Sequence, residues 1–142
     1  MTHEQILDYC LQKPGTFTDY PFGFITPVVK VGMLHGKNRI IAQLLTLHGE
    51  PKVTLSCAPE AAADFRSHYP GSVVRGWHCP PVQQPHFNTV SLDGTVPDDE
   101  LRHMIDHAYA VALGKLPQET QVLLRRTAEA LSPPAAVDEE RP

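Results

Sequence analysis

The sequence predicts a single two-layer α+β domain, in which an antiparallel sheet of about five strands carries helices on one face. The first observation is the order of the patterns, which runs helix, three strands, helix, two strands and two helices. Consecutive strands with short turns favour antiparallel pairing, and strand runs interrupted by helices favour a two-layer sheet over parallel βαβ units. The second observation is the length, because 142 residues are the usual size of one domain.

The N-terminal part of the chain predicts one helix and three strands. Thr2 and Gln5 have the spacing of a capping box, and Pro14 ends the helix that follows. Residues 16–26 are predicted to form a loop whose aromatic side chains tuck onto the core. The three strands, each bounded by turn residues, are predicted over Pro27–Val31, Ile40–Leu47 and Lys52–Cys57.

The middle of the chain predicts a second helix and a hairpin. The helix runs from Pro59, a residue suited to the first helical turn, to the stop signal at Pro70. Ser72–Trp77 and Phe87–Leu92 are predicted to pair as strands around a proline-rich tip over residues 79–85.

Two more helices complete the predicted domain. The stronger one starts at Pro97, and three acidic residues follow where the helix dipole favours negative charge. A last helix covers about Gln118 to Leu131. Residues 1–131 are therefore predicted as one domain. Residues 132–142, which are acidic and rich in proline, are predicted to form a disordered tail.

Composition and charge limit the classes of protein that need to be considered. No segment approaches the roughly 20 apolar residues of a membrane span, the N-terminus lacks the pattern of a signal peptide, and the three cysteines form no CxxC pair. We therefore predict a cytoplasmic protein. The net charge of −4 argues against a polyanion partner, but residues 20–92 carry six Lys or Arg against three Asp or Glu. The mean charge does not decide what this middle block faces.

Seven short segments occur in a fixed order along the chain: Asp19-Tyr20-Pro21-Phe22-Gly23, Val29-Lys30-Val31-Gly32, Leu55-Ser56-Cys57, Tyr69-Pro70-Gly71, His86-Phe87-Asn88-Thr89-Val90, Leu92-Asp93-Gly94, and Ile105-Asp106-His107 with Tyr109. Their spacing resembles that of the MmcQ/YjbR family of small bacterial proteins over about residues 1–117. The resemblance implies an α+β fold with a double wing of two β-hairpins. It also implies DNA as a candidate partner, because members are commonly called DNA-binding.

The chain departs from the family just before the His-aromatic-Asn-Thr-Val segment. Many members carry one or two Lys or Arg residues there, whereas this chain has the uncharged stretch Pro80–Pro85. Phe87 also stands where Trp is more usual. The most obvious phosphate contacts of that wing are therefore missing.

The candidate nucleic-acid-binding residues lie in the turns and strands of the predicted hairpins. Trp77 or Phe87 would stack on bases, Arg75 would supply a cation and Asn88 a hydrogen-bond donor. The alternative is that Trp77 and Phe87 belong to the hairpin core and that Asn88 satisfies backbone groups at the base of the hairpin. The full candidate set is Lys37, Arg39, Arg75, Trp77, His78, His86, Phe87 and Asn88.

No catalytic, metal or cofactor site can be assembled from the sequence. His103 and His107 have the i, i+4 spacing of a metal half-site, but we expect His103 to be solvated and His107 to be hydrogen-bonded and structural. Cys79 lacks an oriented base, and the set His78, Cys79 and His86 lacks a fourth ligand. We therefore expect a non-enzymatic binding module that contacts nucleic acid, DNA in the first place, weakly through its β-hairpin wings. The alternative is a protein–protein adaptor or chaperone-like module that binds no DNA.

Overall fold

The computed structural model describes residues 1–23, 25–77 and 79–131. His78 and the predicted tail over residues 132–142 lie outside the described residues. The helices are α1 (His3–Leu11), α2 (Pro59–His68), α3 (Asp98–Gly114) and α4 (Gln118–Leu131). The strands are β1 (Thr16–Asp19), β2 (Val28–Gly32), β3 (Asn38–Leu47), β4 (Glu50–Ser56), β5 (Val73–Arg75) and β6 (Phe87–Ser91), and a short 3-10 helix covers Gln84–His86.

The strands form one antiparallel sheet in the order β1-β2-β3-β4-β6-β5. The predicted α+β class and antiparallel sheet are confirmed. The predicted strand count was wrong by one, because Thr16–Asp19 was assigned to a loop and instead pairs with β2. All four of its residues are partly exposed. A short edge strand of this kind shows none of the apolar alternation by which strands are recognised.

The hydrophobic core lies between one face of the sheet and the helices. Side chains of a strand alternate between the two faces, and the core takes Ala42 and Leu44 from β3, Val53 from β4 and Val90 from β6. From the helices it takes residues such as Ile105, which is fully buried. Of the helices in the described part of the chain, none is long and apolar enough to cross a membrane.

A β-bulge interrupts the pairing of β2 with β3. Val29 pairs with Ala42, but the next residue, Lys30, pairs with Ile40, so Ile41 is an extra residue in β3. Ile41 and Ala42 are consecutive and both fully buried. Continuous alternation from Ala42 would place Ile40 on the core side of the sheet. The bulge places it on the other face, opposite Lys30.

One of the family-like segments ties α3 to the end of α1. Asp106 accepts hydrogen bonds from the Tyr9 hydroxyl at 2.7 Å and from the Lys13 ammonium group at 2.5 Å. Tyr109 donates its hydroxyl to the Pro14 carbonyl at 2.7 Å. The Lys13 ammonium group also lies 4.8 Å from the centre of the Tyr9 ring, within reach of a cation–π contact. These residues of the segment therefore have structural roles.

The tip of the second hairpin folds back over the sheet instead of projecting from it. β5 has only three residues, and the tip residues Cys79, Pro80 and Gln83 line a cavity together with Thr54 of β4. A Cβ atom on Gly76 would lie 2.7 Å from the Cys79 sulfur. The chain therefore reverses tightly at Gly76, and the tip of this hairpin lies against the sheet.

Candidate functional site

β3 extends beyond its neighbour β4 at the start of the strand. The last β3–β4 pair joins Ala42 to Leu55, whereas β2 stays paired with β3 as far as Asn38. The 3-10 helix and the C-terminal end of α3 lie across this gap and leave a cavity of about 420 Å³. We call it the basic cavity, because four basic side chains line it: Lys30, Arg39, His86 and Lys115.

The charges of the basic cavity are only partly compensated. Lys30 forms an ion pair with Asp19 at 2.7 Å, and this hydrogen bond from Lys30 is the main reason that the pKa of Asp19 is lowered. Among the described residues, neither Arg39 nor Lys115 has a carboxylate within ion-pairing distance. No carboxylate is part of the described cavity wall. The cavity is therefore suited to an anionic ligand.

The position of Lys115 at the end of α3 reduces the net positive charge of the basic cavity. It is the C-terminal capping residue of α3, and its backbone N–H bonds to the carbonyls of Ala112 and Leu113. The C-terminus of a helix carries about half a negative charge. Part of the Lys115 charge is therefore balanced by the helix that presents it.

A second cavity, of about 470 Å³, lies on the face of the sheet opposite the hydrophobic core. We call it the aromatic cavity, because Phe22, Trp77 and Phe87 line it. Phe22 is 61 % exposed and Trp77 is 45 % exposed, so both present ring surface to solvent. The two cavities are neighbours, since Ile40, Gln83 and Phe87 line both of them.

Buried hydrogen bonds hold the floor of the aromatic cavity in place. The hydroxyls of Thr54 and Thr89 are 2.8 Å apart on neighbouring strands, and both residues are buried. The Thr89 oxygen also accepts a hydrogen bond from the backbone N–H of Trp77 at 2.9 Å. The backbone that carries the Trp77 ring is therefore fixed to the sheet.

The structure brings four of the candidate residues together at these cavities. Arg39, His86 and Phe87 line the basic cavity, and Trp77 joins Phe87 at the aromatic cavity. Arg39 reaches the α3 side of the sheet because the bulge pairs it with Val31, a core residue.

Two further candidates, Lys37 and Arg75, lie elsewhere. Lys37 is exposed in the turn between β2 and β3, and Arg75 is exposed in the edge strand β5. Neither lines the two cavities. His78 is outside the described residues.

Asn88 is a structural residue on the α2 side of the sheet. Its side chain is buried, with 3 % exposure. The amide nitrogen donates to the Ala62 carbonyl at 3.1 Å, and the amide oxygen accepts from the Arg66 guanidinium at 2.8 Å. The amide therefore bonds to a backbone carbonyl of α2. The predicted alternative, in which it satisfies backbone groups at the base of its own hairpin, is wrong.

Sequence reasoning missed Lys30 and Lys115 as site residues. Lys30 could have been found from the sequence, because an isolated lysine in an apolar strand indicates that one face of the strand is open there. In the structure it is the one residue of β2 that is not buried. Lys115 gives no such signal in the sequence. It reaches the cavity only because the end of α3 packs beside the start of β3.

The two histidines of α3 have the positions that were expected. His103 is exposed, and His107 accepts a hydrogen bond at Nε2 from the backbone N–H of Ala58, the N-cap of α2, at 3.1 Å. Burial, followed by the nearby charge of His103, lowers the pKa of His107. Residues 1–23, 25–77 and 79–131 contain no cluster of three or more His, Cys, Asp or Glu that could hold a metal ion.

The cysteine thiols are held in their protonated form. Burial raises the pKa of Cys10 to about 12 and that of Cys57 to about 11. It also raises the pKa of Cys79, which is less buried. Since the thiolate is the nucleophilic form, burial disfavours the reactive form of all three thiols.

Comparison with known proteins gives one consistent family. The family model described as YjbR matches residues 11–111. The uncharacterized protein YjbR of Escherichia coli K12 is 29% identical over 124 residues, which cover 87% of this chain and 98% of that protein, and its counterpart in strain O157:H7 matches equally. The crystal structure of a Deinococcus radiodurans protein with the domain DUF419 has a TM-score of 0.77 at 28% identity and covers 87% of each chain.

A crystal structure of a Pseudomonas syringae protein supports the fold alone. Its TM-score is 0.64 at 18% identity, and the match covers 79% of this chain and 99% of that one. The family model itself spans well over half of the chain. This chain belongs to the YjbR family.

Proposed function

We propose that this YjbR protein is a non-enzymatic binding module that takes up nucleic acid weakly through its basic cavity. The observation that carries the proposal is the wall of that cavity. It brings together Arg39, Lys115, Lys30 and His86 and, within the described residues, no carboxylate. Such a wall suits the phosphate groups that supply most of the affinity of proteins for nucleic acids.

The affinity is expected to be low, because few phosphates can be neutralised. Lys30 already pairs with Asp19, and Lys115 is partly balanced by the C-terminus of α3. Two to four phosphate contacts correspond to a slope of log affinity against log salt of about −2 to −4. We expect dissociation constants in the micromolar range or weaker at physiological salt, as for other sequence-independent binding.

The test is fluorescence anisotropy with labelled single- and double-stranded DNA at several salt concentrations. The double substitution of Arg39 and Lys115 by Gln is expected to remove most of the binding and to make the salt slope shallower by one to two units, about one per contact. Lys37→Gln with Arg75→Gln is the matched control, because it removes the same charge from exposed positions outside both cavities. An equal loss in the control, or no binding at low salt with tens of micromolar protein, would refute the proposal.

A protein–protein adaptor is the second candidate, and one observation favours it. Large apolar side chains are exposed on the two loops that contribute residues to the aromatic cavity: Phe22 is 61 %, Ile25 is 93 % and Val82 is 84 % exposed. Contact surfaces for other proteins are often built from exposed apolar side chains. Salt separates the two candidates, because phosphate contacts release counterions and apolar contacts do not.

A further inference from the structure

The basic and aromatic cavities together have the layout of a nucleotide. Phosphate-binding cations lie in one cavity, and flat ring surfaces lie in the other. Phe87 is part of both walls, so the two cavities are neighbours. Each volume falls in the range of roughly 300–1,000 Å³ typical of ligand sites.

From this layout we propose that the ligand is single-stranded nucleic acid, with one unpaired base in the aromatic cavity and its phosphate in the basic cavity. The proposal rests on the proposed function and names its substrate class. Aromatic side chains offer stacking surfaces to any base, since every base has a π-face. A paired base cannot enter such a cavity, because its faces are covered by its neighbours in the duplex stack.

The polar residues of the aromatic cavity suit the edge of a base. Gln43 and Thr26 line it together with the rings. Gln carries both donor and acceptor groups, which can bond to the exposed edge of an unpaired base. A purely apolar peptide or lipid would leave these polar groups without partners at a cost in free energy.

The shape of the second hairpin argues independently against duplex recognition. Reading the major groove requires an α-helix or a two-stranded ribbon that projects into it. Here β5 has three residues, and the hairpin tip lies over Thr54 and Gln43 of the sheet. The surface around Trp77 is therefore a concave one, which suits an extruded base better than a groove.

Intrinsic fluorescence provides a direct test, because Trp77 is the only tryptophan of the chain. We expect a single-stranded oligothymidine to quench it and a DNA hairpin duplex of equal phosphate number to leave it unchanged. Anisotropy should show the single strand binding at least about tenfold more tightly than the duplex, the size expected for one stacked base. An oligonucleotide of the same length with abasic sites keeps the phosphates, and it should bind about as weakly as the duplex.

Variants separate the two cavities. Trp77→Ala and Phe22→Ala should each weaken single-strand binding, by about tenfold for Trp77, without changing the slope against salt. Arg39→Gln should make that slope shallower by about one unit and preserve the quenching at saturation. Phe22 is 61 % exposed, so its replacement keeps the test valid if Trp77→Ala proves unstable in a thermal melt.

The outcomes distinguish the two proposals. Equal affinity for single strand, abasic strand and duplex, lost in the Arg39 and Lys115 variant, would overturn the single-strand inference and leave the proposed function standing. Absence of binding to all three at low salt would overturn both. Tighter binding of the single strand with no effect of Trp77→Ala or Phe22→Ala would overturn the placement of the base in the aromatic cavity.

Discussion

Replacing Asn88 by Ala tests the hydrogen-bonded contact between the sheet and α2. The buried amide of Asn88 forms two hydrogen bonds, one to the Ala62 carbonyl and one from the Arg66 guanidinium. Alanine removes both of these bonds. It also leaves a space the size of the amide between β6 and α2.

The magnitude follows from the two bonds. A bond between neutral groups contributes about 0.5–1.5 kcal/mol, and one to a charged group about 1.5–3 kcal/mol. Arg66 is only partly buried, so water replaces some of its lost interaction and the lower end applies to that bond. We therefore expect Asn88→Ala to lower the free energy of unfolding by about 2–3 kcal/mol.

Urea denaturation followed by circular dichroism measures this change. Arg66→Met is the partner variant, because it removes the charged donor and keeps most of the aliphatic stem. A double-mutant cycle then isolates the Asn88–Arg66 bond, which we expect to couple the two positions by about 1.5 kcal/mol. An unfolding free energy of Asn88→Ala within about 0.5 kcal/mol of the wild type would show that this contact is unimportant.

Two further predictions concern stability. Burial lowers the pKa of His107 in the folded protein from 6.5. The contribution of neutral His107 to the free energy of unfolding is therefore complete above about pH 6.5 and is lost as the pH falls through the lower folded pKa. The stability of the wild type should drop more between pH 7 and 5 than that of His107→Gln. Gly32 has φ +130 and no room for a Cβ atom against the Lys37 carbonyl, so Gly32→Ala should cost more than about 2 kcal/mol. Gly71→Ala, with φ +81 and open space, should cost only about 1 kcal/mol. Equal costs for the two glycines would contradict the steric argument.

Local signals made most of the fold predictable. The capping box at Thr2 is present with both bonds, and α4 has the bounds that were predicted. Each of these features depends on residues within a few positions of one another. β1 could not be found in this way, because its identity as a strand depends on pairing with β2 and not on its own pattern.

The candidate site was predictable only in part. The rings of Trp77 and Phe87 could be singled out, because large aromatic residues beside a turn are conspicuous in a sequence. The placement of Arg39 and Lys115 in one cavity could not be predicted, since it depends on the packing of α3 against the start of β3. The bulge at Ile41 adds a second obstacle, because uninterrupted alternation assigns Arg39 and Ile40 to the wrong sides of the sheet.

That bulge has a consequence for how proteins with this fold can vary in length. Without Ile41, Ile40 would follow Ala42 directly in the ladder and would still pair with Lys30, while Arg39 would still pair with Val31. Only the core would change, because it would lose the fully buried side chain of Ile41. A relative one residue shorter in this strand can therefore keep the same cavity-lining side chains. The core and the cavity wall can change separately here, although they share a single strand.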